Sequence, residues 1–498
     1  MPKEELQNLA FRRLLFYPAA EIYSSAPAGF WEFGPVGVRI RNNTVAFWRR
    51  ELLEKERLFE IHGSVILPRE VFEASGHLKS FNDPIVQCTK CHAFYKANSL
   101  IEEKTKVPVP EAMSTQEMDA LISKEKISCP KCKGSLGNVK LFNMMMSLHI
   151  GATQSQQCFL RPETCQNIFL DFQRIYRSGR ENLPIGIAQA GSSFRNEIAP
   201  KQTLLREREL GQMEIEIFFN PEKINDFEKF DEVADYNLRL QALGSDKISD
   251  ISCREAVSKN IVSGKLIAYW LARLQQFYEK CGIAREKMRF RQLSNDEKAF
   301  YSKESWDFEV LLDVGWTELV ACNYRTDYDL KGHAQGSKKD LSVKEDGKEF
   351  IPHVFELSAG IDRTFYAVLD QAIRKEKRGK EERLYLDLVP QLAPYFVAVF
   401  PLVNKDNVDK KAEEVFNYLE SYGFFCVYDD KGSIGRRYAR VDEIGVPYAL
   451  TIDYDTLKDN TVTIRERNTM AQKRVGIEAL PELLWKLSIG KISFEDLK

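Results

Sequence analysis

The segment from residue 189 to 219, QAGSSFRNEIAPKQTLLRERELGQMEIEIFF, restricts the fold more than any other part of the chain. Its pattern predicts two antiparallel strands and a joining loop, and alternate residues of a strand share one face. Arg195 and Glu197 share a face of the first arm, and Glu214 and Glu216 share a face of the second, opposite a row of apolar residues. Burying such a charged face is costly unless a ligand or a partner satisfies it.

Two interpretations of this charged pair remain open from its residues alone. A ligand with two polar ends would satisfy it, because guanidinium groups suit phosphate and carboxylates suit an ammonium group or an adenine amine. The alternative is a solvated hairpin held by ion pairs, which contribute little to stability at a surface.

A second arrangement of the same residue types occurs in HVFELSAGIDRTFYAVLDQAI, residues 353 to 373. Glu356 and Ser358 share a strand face, and Arg363 falls in the first turn of the helix that follows. Backbone donors at a helix start add to an arginine in attracting phosphate. A plain strand-to-helix junction would not require Glu, Ser and Arg around one turn, so the pattern favours a binding site.

Length and composition limit the class of protein. A chain of 498 residues predicts two or three domains, and its net charge of -2 neither indicates nor excludes a nucleic-acid partner. No apolar run approaches the ~20 residues that cross a bilayer, so we expect a soluble protein without a membrane partner. Acidic residues near the N-terminus argue against a transit peptide, and the cysteine usage suits the reducing cytoplasm.

Four of the ten cysteines form two CxxC pairs separated by 37 residues, namely Cys88, Cys91, Cys129 and Cys132. Four thiolates suit a closed tetrahedral zinc site. The sequence therefore predicts structural zinc in this region, with reduced surface thiols as the alternative.

Longer motifs resemble a known family. FRNE followed by RERE resembles motif 2 of the class II aminoacyl-tRNA synthetases, and the segment around Arg363 resembles their motif 3. The signatures GPVGVRIRNN, RPETCQNIF, GSSFRNEIAP and WTELVACNYRTDYDLKGHA are similar to those of the dimeric glycyl-tRNA synthetases, over residues 8 to 475. The sequence departs from that family at KANSL (96 to 100), where something like RADHL is expected, and at Cys165 and Asn167, where Ala and Gly are expected.

This resemblance implies an enzyme that activates glycine with ATP to glycyl-adenylate and transfers glycine to the 3′ end of tRNA(Gly), with Mg²⁺ on the triphosphate. Arg195, Glu197 and Arg363 would be catalytic, with Arg195 on the α-phosphate and Arg363 on the γ-phosphate. The implied ATP-binding residues are Arg195, Asn196, Glu197, Arg206, Glu207, Glu318, Leu319 and Arg363. The implied glycine-binding residues are Glu163, Glu214, Glu356 and Ser358. Several glutamates around the ammonium group would leave no room for a Cβ, which excludes alanine by collision.

The resemblance also implies an α+β fold, in which a class II antiparallel-sheet catalytic domain with insertions precedes a C-terminal α/β anticodon-binding domain. The predicted divisions are the first part of the core with the dimer motif (1–83), a Cys-rich insertion that is expected to hold a zinc knuckle (84–140), core with motif 2 (141–220), a helical insertion (221–310), core with motif 3 (311–385) and the anticodon-binding domain (386–498). A homodimer is implied for the helix and strand that end at Pro68.

Two basic clusters in the last domain are candidates for RNA phosphates, with solvated surface charge as the alternative. They comprise Lys431, Arg436, Arg437 and Arg440, and Arg465, Arg467, Lys473 and Arg474; Tyr428 and Tyr438 are candidates for base stacking.

Two rival functions remain open. One is a synthetase-like accessory protein that keeps the fold without catalysis, and the other is activation of another small amino acid such as serine or proline. The tetrapeptide HIGA (149 to 152) resembles the HIGH signature of class I synthetases, but no KMSKS-like partner follows, which favours a chance match.

Overall fold

The computed structural model describes residues 3–107, 109–110, 113–180, 182–198, 200, 203–299, 301–378 and 381–497. Within these ranges, no helix has the length and apolar character that crossing a membrane requires. The described part of residues 3–150 contains α1 (Lys3–Arg12), β1 (Phe16–Pro18), β2 (Trp31–Phe33), α2 (Gly37–Trp48), β3 (Phe59–Ile61), β4 (Ile66–Pro68), α3 (Arg69–Ala74), α4 (His77–Ser80), β5 (Asn82–Gln87), β6 (Phe94–Lys96), α5 (Ala97–Thr105), α6 (Thr115–Lys124), β7 (Lys140–Asn143) and β8 (Met146–Ile150).

The middle of the chain carries the strands of the largest sheet. Its elements are β9 (Gln156–Leu160), α7 (Cys165–Ser178), β10 (Ile185–Phe194), β11 (Glu209–Phe219), β12 (Asn237–Gln241), β13 (Ser249–Ser252), α8 (Cys253–Ser258), α9 (Lys265–Lys280), β14 (Met288–Gln292), β15 (Glu304–Leu312), β16 (Gly315–Thr326), α10 (Tyr328–Ser337), β17 (Val343–Glu345), β18 (Lys348–Phe350), β19 (His353–Gly360) and α11 (Ile361–Ala372).

The remaining elements form a hairpin and a separate C-terminal unit. They are β20 (Ile373–Arg378), β21 (Glu381–Leu386), β22 (Val397–Pro401), α12 (Val408–Ser421), β23 (Cys426–Tyr428), α13 (Ile434–Glu443), β24 (Tyr448–Ile452), α14 (Thr456–Asp459), β25 (Thr461–Glu466), β26 (Gln472–Gly476) and α15 (Leu480–Ser488).

A nine-stranded sheet forms the centre of the larger, N-terminal part of the chain, in the order β13-β12-β14-β15-β16-β19-β11-β10-β3. Its pairings are antiparallel except for β12 with β14 and β10 with β3. The predicted antiparallel pair is confirmed, because β10 and β11 pair over ten residues, with Gln189 opposite Glu214. Strand β19 lies on the other side of β11, so the two predicted charged segments are neighbours in one sheet.

The two faces of β11 differ in chemistry, as the alternation in its sequence predicts. Met213, Ile215 and Ile217 lie in the main hydrophobic core with residues of α9 and α11. Each such side chain contributes about 1.5–3 kcal/mol when it is fully buried. The apolar face therefore stabilises the strand that holds Glu214 and Glu216 buried on the opposite face.

The prediction of a helical insertion over 221–310 is wrong in part. Strands β12, β13 and β14 belong to the nine-stranded sheet, and β14 pairs with β15. Helix α9 does have the predicted amphipathic pattern and packs into the main core. The strands were missed because each has only four or five residues, too few for a clear period-two pattern beside a long helix.

The Cys-rich region forms a small module of its own. Strands β6, β5 and β7 make a three-stranded sheet, and α5 and α6 cover it. Its hydrophobic core contains Val86, Leu100, Ile101, Met118 and Ile122. The module is therefore a packed unit with a sheet and a core of its own, separate from the nine-stranded sheet.

The C-terminal unit is the predicted α/β domain. Its five strands are ordered β23-β22-β24-β25-β26, and the first three are parallel. Helix α12 buries Val408, Ala412, Val415 and Leu419, as its periodicity predicts. Gly423, just beyond the helix, has a φ of 83°, in the left-handed region where glycine is favoured.

The structure corrects part of the predicted RNA-facing clusters in this domain. Arg437, Arg465 and Arg467 are at most 4% exposed. Arg465 pairs with Asp442 at 3.0 Å and Arg467 with Asp387 at 3.0 Å. These three guanidinium groups stabilise the fold and are not available to RNA phosphates.

The other cluster members divide into paired and exposed residues. Arg440 pairs with Asp429 at 2.6 Å and Arg474 with Asp453 at 2.6 Å, while Lys473 donates to backbone carbonyls near the C-terminus. Arg436 is exposed, and Lys431 is exposed as well, although it lies 3.3 Å from Asp430. The exposed part of the predicted basic surface is thus much smaller than the sequence suggests.

Candidate active site

A cavity of about 770 Å³ lies over the polar face of the nine-stranded sheet. Its floor is formed by β16 and β19, and the loop after β10 forms one wall. The Cys-rich module contributes a second wall through residues such as Asp83 and Asn98, and residues 293–299 contribute a third.

The cavity brings together most of the residues that the sequence singled out. Those lining it are Glu163, Arg195, Glu197, Arg206, Glu207, Glu318, Leu319, Glu356, Ser358 and Arg363. Glu214 is fully buried beneath the floor, opposite Ser358 in the register of β11 and β19. Asn196 is half-buried, and its backbone N–H donates to the Met144 carbonyl at 2.8 Å. Asn196 is not among the described lining residues, so the structure does not bring its side chain to the cavity.

Arg195 follows directly after β10 and lies at the acidic end of the cavity. Its Nε donates to the Pro162 carbonyl at 3.2 Å, and its Nη2 lies 3.8 Å from Glu163 Oε1. The guanidinium also lies over the Phe81 ring, 5.6 Å from its centroid. These contacts hold the Arg195 guanidinium beside the Glu163 carboxylate. This arrangement suits a ligand that carries both an anionic group, for the arginine, and an amine, for the glutamate.

The loop between β10 and β11 supplies a second cation and two carboxylates. Arg206 Nε donates to Glu197 Oε2 at 2.8 Å. Burial by itself raises the pKa of Glu197, but the Lys96 and Arg206 cations outweigh it and leave this pKa lowered. Glu207 is buried, and burial together with neighbouring Asp362 raises its pKa well above the usual value.

Arg363 occupies the first turn of α11, as predicted, and reaches two other elements. Its Nε donates to the Leu205 carbonyl at 3.1 Å, and its Nη1 lies 3.2 Å from Glu318 Oε2 on β16. About a third of the Arg363 side chain remains exposed. Because its contacts are with two carbonyls and one half-exposed carboxylate, Arg363 keeps donors free for a phosphate group.

The other end of the cavity is an acidic pit. Glu163, Glu356 and Ser358 line it, Glu214 is buried beneath its floor, and little of any of the three glutamate side chains is exposed to solvent. Thr164 Oγ1 donates to the Glu214 carboxylate, and Asn323 Nδ2 donates to Glu356 Oε2 at 2.7 Å. A compact cation with several N–H donors, such as an ammonium group, fits the chemistry of this pit.

Residues outside the predicted set complete the pit. Arg325 is fully buried and pairs with Glu356 at 3.0 Å and with Asp329 at 2.7 Å. Glu216 lies opposite Glu356 in the strand register and is also fully buried. A sequence signal for both existed: Arg325 and Asp329 have the four-residue spacing of an ion pair, and Glu216 alternates with Glu214.

The carboxyl groups of the pit have different proton affinities. Burial by itself raises the pKa of Glu163, but the neighbouring His77, Arg195 and Arg325 lower it by more than burial raises it. The pKa of Glu163 is therefore below its usual value, and Glu163 is ionised. Burial raises the pKa of Glu216 well above its usual value, and neighbouring Glu356 raises it further. Burial also raises the pKa values of Glu214 and Glu356, despite the opposing effect of Arg325. The pit therefore carries less negative charge at neutral pH than its number of carboxyl groups suggests.

The four cysteines of the two CxxC pairs come together as predicted. Their sulfur atoms all lie within 4.8 Å of one another, with Cys88 and Cys132 3.5 Å apart and Cys91 and Cys129 3.6 Å apart. Tetrahedral zinc with Zn–S distances of ~2.3 Å places sulfur atoms about 3.8 Å apart. The geometry of the four thiols thus fits a zinc ion.

The two cysteine turns have the same backbone shape, which accounts for part of their sequence. His92 and Lys133, each four residues after the first cysteine of a pair, have φ values of 57°. The N–H groups of Lys90 and Cys91 point at Cys88 Sγ, at 3.4 and 3.5 Å. At Gly134, a Cβ would lie 3.2–3.3 Å from the sulfurs of Cys132 and Cys88, so glycine keeps this space open.

Comparison with known proteins identifies the class that this fold and site define. Residues 150–372 match the tRNA synthetase class II core domain (G, H, P, S and T), and residues 396–487 match the anticodon binding domain. A solved structure titled as the RNA binding domain of threonyl-tRNA synthetase from Cryptosporidium parvum Iowa II has the same fold, with a TM-score of 0.60 and 16% identity. The matched region spans 97% of this chain and 98% of the solved chain. The chain is therefore a class II aminoacyl-tRNA synthetase.

Curated relatives narrow this class to one family. The chain is 39% identical to the glycine–tRNA ligase of Methanocaldococcus jannaschii, over 97% of this chain and 98% of the relative. It is 37% identical to the glycine–tRNA ligase of Pyrococcus furiosus, over 98% of this chain and 99% of the relative. It is 36% identical to that of Methanothrix thermoacetophila, over 99% of this chain and 98% of the relative. The chain belongs to the glycine–tRNA ligase family.

Proposed function

We propose that this chain activates glycine with ATP to glycyl-adenylate and transfers the glycyl group to the 3′ end of tRNA(Gly). The main support is the acidic pit: Glu163 and Glu356 line one end of a cavity, with Glu214 buried beneath the floor there, and the other end carries Arg206 and Arg363. Arg195 lies 3.8 Å from Glu163, at the acidic end.

The acidic pit would bind the ammonium group of glycine. Ionised Glu163 provides charge, Ser358 provides a hydroxyl group, and Glu214 and Glu356 provide further acceptors. A larger amino acid would have to fit its Cβ among closely packed side chains, and steric exclusion of a larger rival requires no separate editing site.

The arginines would bind and polarise the triphosphate. Arg195, next to the pit, is placed for the α-phosphate that the glycine carboxylate attacks, and Arg363 for the γ-phosphate of the leaving pyrophosphate. Glu197 suits the adenine amine, with Arg206 and Glu207 beside it. Glu318 and Leu319 line the same end, and Glu318 offers a carboxylate oxygen that Mg²⁺ prefers. Bound Mg²⁺ would neutralise phosphate charge, while the chain contributes positioning and charge stabilisation.

Two further properties belong to this proposal. The four-cysteine geometry supports a structural zinc ion, and ten cysteines without a disulfide suit a cytoplasmic enzyme. A homodimer is supported by the edge position of β3 in the nine-stranded sheet, and by Phe59 and Ile66, which are 39% and 38% exposed on β3 and β4.

Amino-acid-dependent exchange of pyrophosphate into ATP tests the assignment, with glycine compared against alanine, serine and proline at equal concentrations. Exchange with glycine about ten- to two-hundredfold above alanine is expected, since the discrimination that one methyl group provides is worth about 1–3 kcal/mol. Exchange with serine or proline but not glycine would overturn the substrate. No exchange with any of the four would favour the accessory-protein alternative.

A further inference from the structure

The Cys-rich module contacts the nucleotide end of the cavity through one buried lysine. Lys96 Nζ forms an ion pair with Asp83 of the module and lies 3.4 Å from Glu197 Oε2 of motif 2. Only 11% of the Lys96 side chain is exposed. Both carboxylates line the cavity, whereas Lys96 is not among the described lining residues.

Lys96 is not the only cation beside Glu197, because Arg206, which is proposed to bind the nucleotide, contacts the same carboxylate. Arg206 Nε donates to the same oxygen, Glu197 Oε2, at 2.8 Å. If nucleotide phosphates draw Arg206 toward them, Lys96 is the cation that continues to hold the Glu197 carboxylate. Removing one member of a buried ion pair is costly because the other charge is left uncompensated. A long, flexible lysine thus gains a defined position between two carboxylates.

The position of Lys96 depends in turn on the cysteine site. Strand β6, which ends at Lys96, begins just after Cys91 of the first pair. Next to Lys96, the Tyr95 hydroxyl lies 3.3 Å from Cys129 Sγ of the second pair. The strand is therefore connected to both cysteine pairs, and the backbone of Lys96 lies opposite Ile85 in the sheet of the module.

We propose that Lys96 is a positioning residue of the nucleotide site, which holds Glu197 for the nucleotide, and that the four-cysteine site keeps Lys96 in place through Tyr95 and strand β6. This inference rests on the function proposed above and adds a link between the Cys-rich module and ATP affinity. Lysine occupies a position where the family resemblance leads one to expect arginine, so Lys96→Arg is a natural conservative variant.

Three lysine variants test the role of Lys96. Lys96→Met removes the charge with a similar chain length, Lys96→Arg keeps it, and Lys104→Met makes the same change at an exposed site on α5. Lys96→Met should raise both the KM for ATP in exchange and the calorimetric Kd for ATP alone by about tenfold, with the glycine KM within about twofold. Lys96→Arg should restore most of the ATP affinity, and Lys104→Met should match the wild type.

Metal removal tests the link to the cysteine site. Zinc is withdrawn with a chelator, the chelator is then removed, and ATP binding is measured alongside zinc content. Loss of zinc should weaken ATP binding by the wild type about as much as Lys96→Met does, and should add little to Lys96→Met itself, because both changes act through the same contact. Tyr95→Phe, with zinc retained, should weaken ATP binding by a smaller factor.

Several results would overturn the inference. These are an unchanged ATP affinity in Lys96→Met, an equal loss in Lys104→Met, or an equal effect of zinc removal on the wild type and Lys96→Met. If Lys96→Met does not fold, which the loss of cooperative unfolding would show, Lys96→Arg and Tyr95→Phe decide the question. The proposal is contradicted if Tyr95→Phe binds ATP as tightly as the wild type and Lys96→Arg does not bind ATP. A wild type without glycine-dependent exchange would instead refute the proposed function.

Discussion

Arg325 Nη1 lies 3.0 Å from Glu356 Oε1, and neither side chain is more than 4% exposed. The same guanidinium pairs with Asp329 and lies over the Tyr301 ring, 3.9 Å from its centroid. One buried cation thus offsets two carboxylates directly beneath the acidic pit. Without it, the clustered acids would repel each other in a region of low dielectric.

Arg325→Met is expected to lower the free energy of unfolding by about 3–5 kcal/mol, because it leaves Glu356 and Asp329 buried without their cation. Urea unfolding followed by tryptophan fluorescence measures this. Arg254→Met is the matched control, since the Arg254–Asp235 pair is mostly exposed, and a change within about 0.5 kcal/mol is expected there. Equal stability of the two variants would contradict the counter-ion role of Arg325.

Glu163→Gln and Glu216→Gln should differ sharply, although both residues are buried acids of the pit. The pKa of Glu163 is lowered, so glutamine removes a real charge, and kcat/KM for glycine should fall about a hundredfold, as for a lost charge-assisted hydrogen bond. The pKa of Glu216 is raised well above its usual value, which favours the neutral form of this group, and glutamine closely matches the shape and charge of that form. Its kcat/KM should stay within about threefold. A large loss in Glu216→Gln would show that Glu216 is ionised in the working enzyme.

Cys129→Ser should abolish the zinc site, because a serine hydroxyl is a much poorer zinc ligand than a thiolate. Zinc content measured by mass spectrometry should fall from about one ion per chain to near zero, and amide exchange should increase within residues 84–140. Cys426→Ser, in the C-terminal domain, should leave the metal content unchanged. A wild-type protein that purifies without zinc and takes up none would refute the zinc proposal.

Arg436→Met and Arg465→Met separate RNA binding from folding in the C-terminal domain. Arg436 is exposed, so its loss should weaken tRNA binding with little change in stability. The slope of log affinity for tRNA against log salt concentration should become shallower by about one unit. Arg465 is buried against Asp442, so its loss should lower stability by about 3 kcal/mol or more. Filter binding at several salt concentrations and thermal unfolding measure the two effects. Wild-type tRNA affinity in Arg436→Met would remove this residue from the RNA surface.

Sequence alternation was sufficient to predict the centre of the catalytic sheet. In β11, the alternation of Glu214 and Glu216 with isoleucine and methionine predicted one polar and one apolar face, and the structure has both. Helix α12 followed its periodicity in the same way. The short strands between 237 and 292 were not predictable, because each is too short for a clear alternation and β12 joins the sheet only by pairing with β14, beyond helices α8 and α9.

By itself, the sequence determined the residue types of the site and the local elements that carry them: the paired strands, the helix start at Arg363 and the two CxxC turns. Only the tertiary structure decided which charges are available. Arg437, Arg465 and Arg467 resemble an RNA-binding cluster in sequence, yet they are buried in structural contacts, while Lys96 and Arg325 gain importance from partners in distant segments. The reason is physical: side-chain chemistry is a local property, but solvent exposure and the identity of the opposite charge depend on long-range packing.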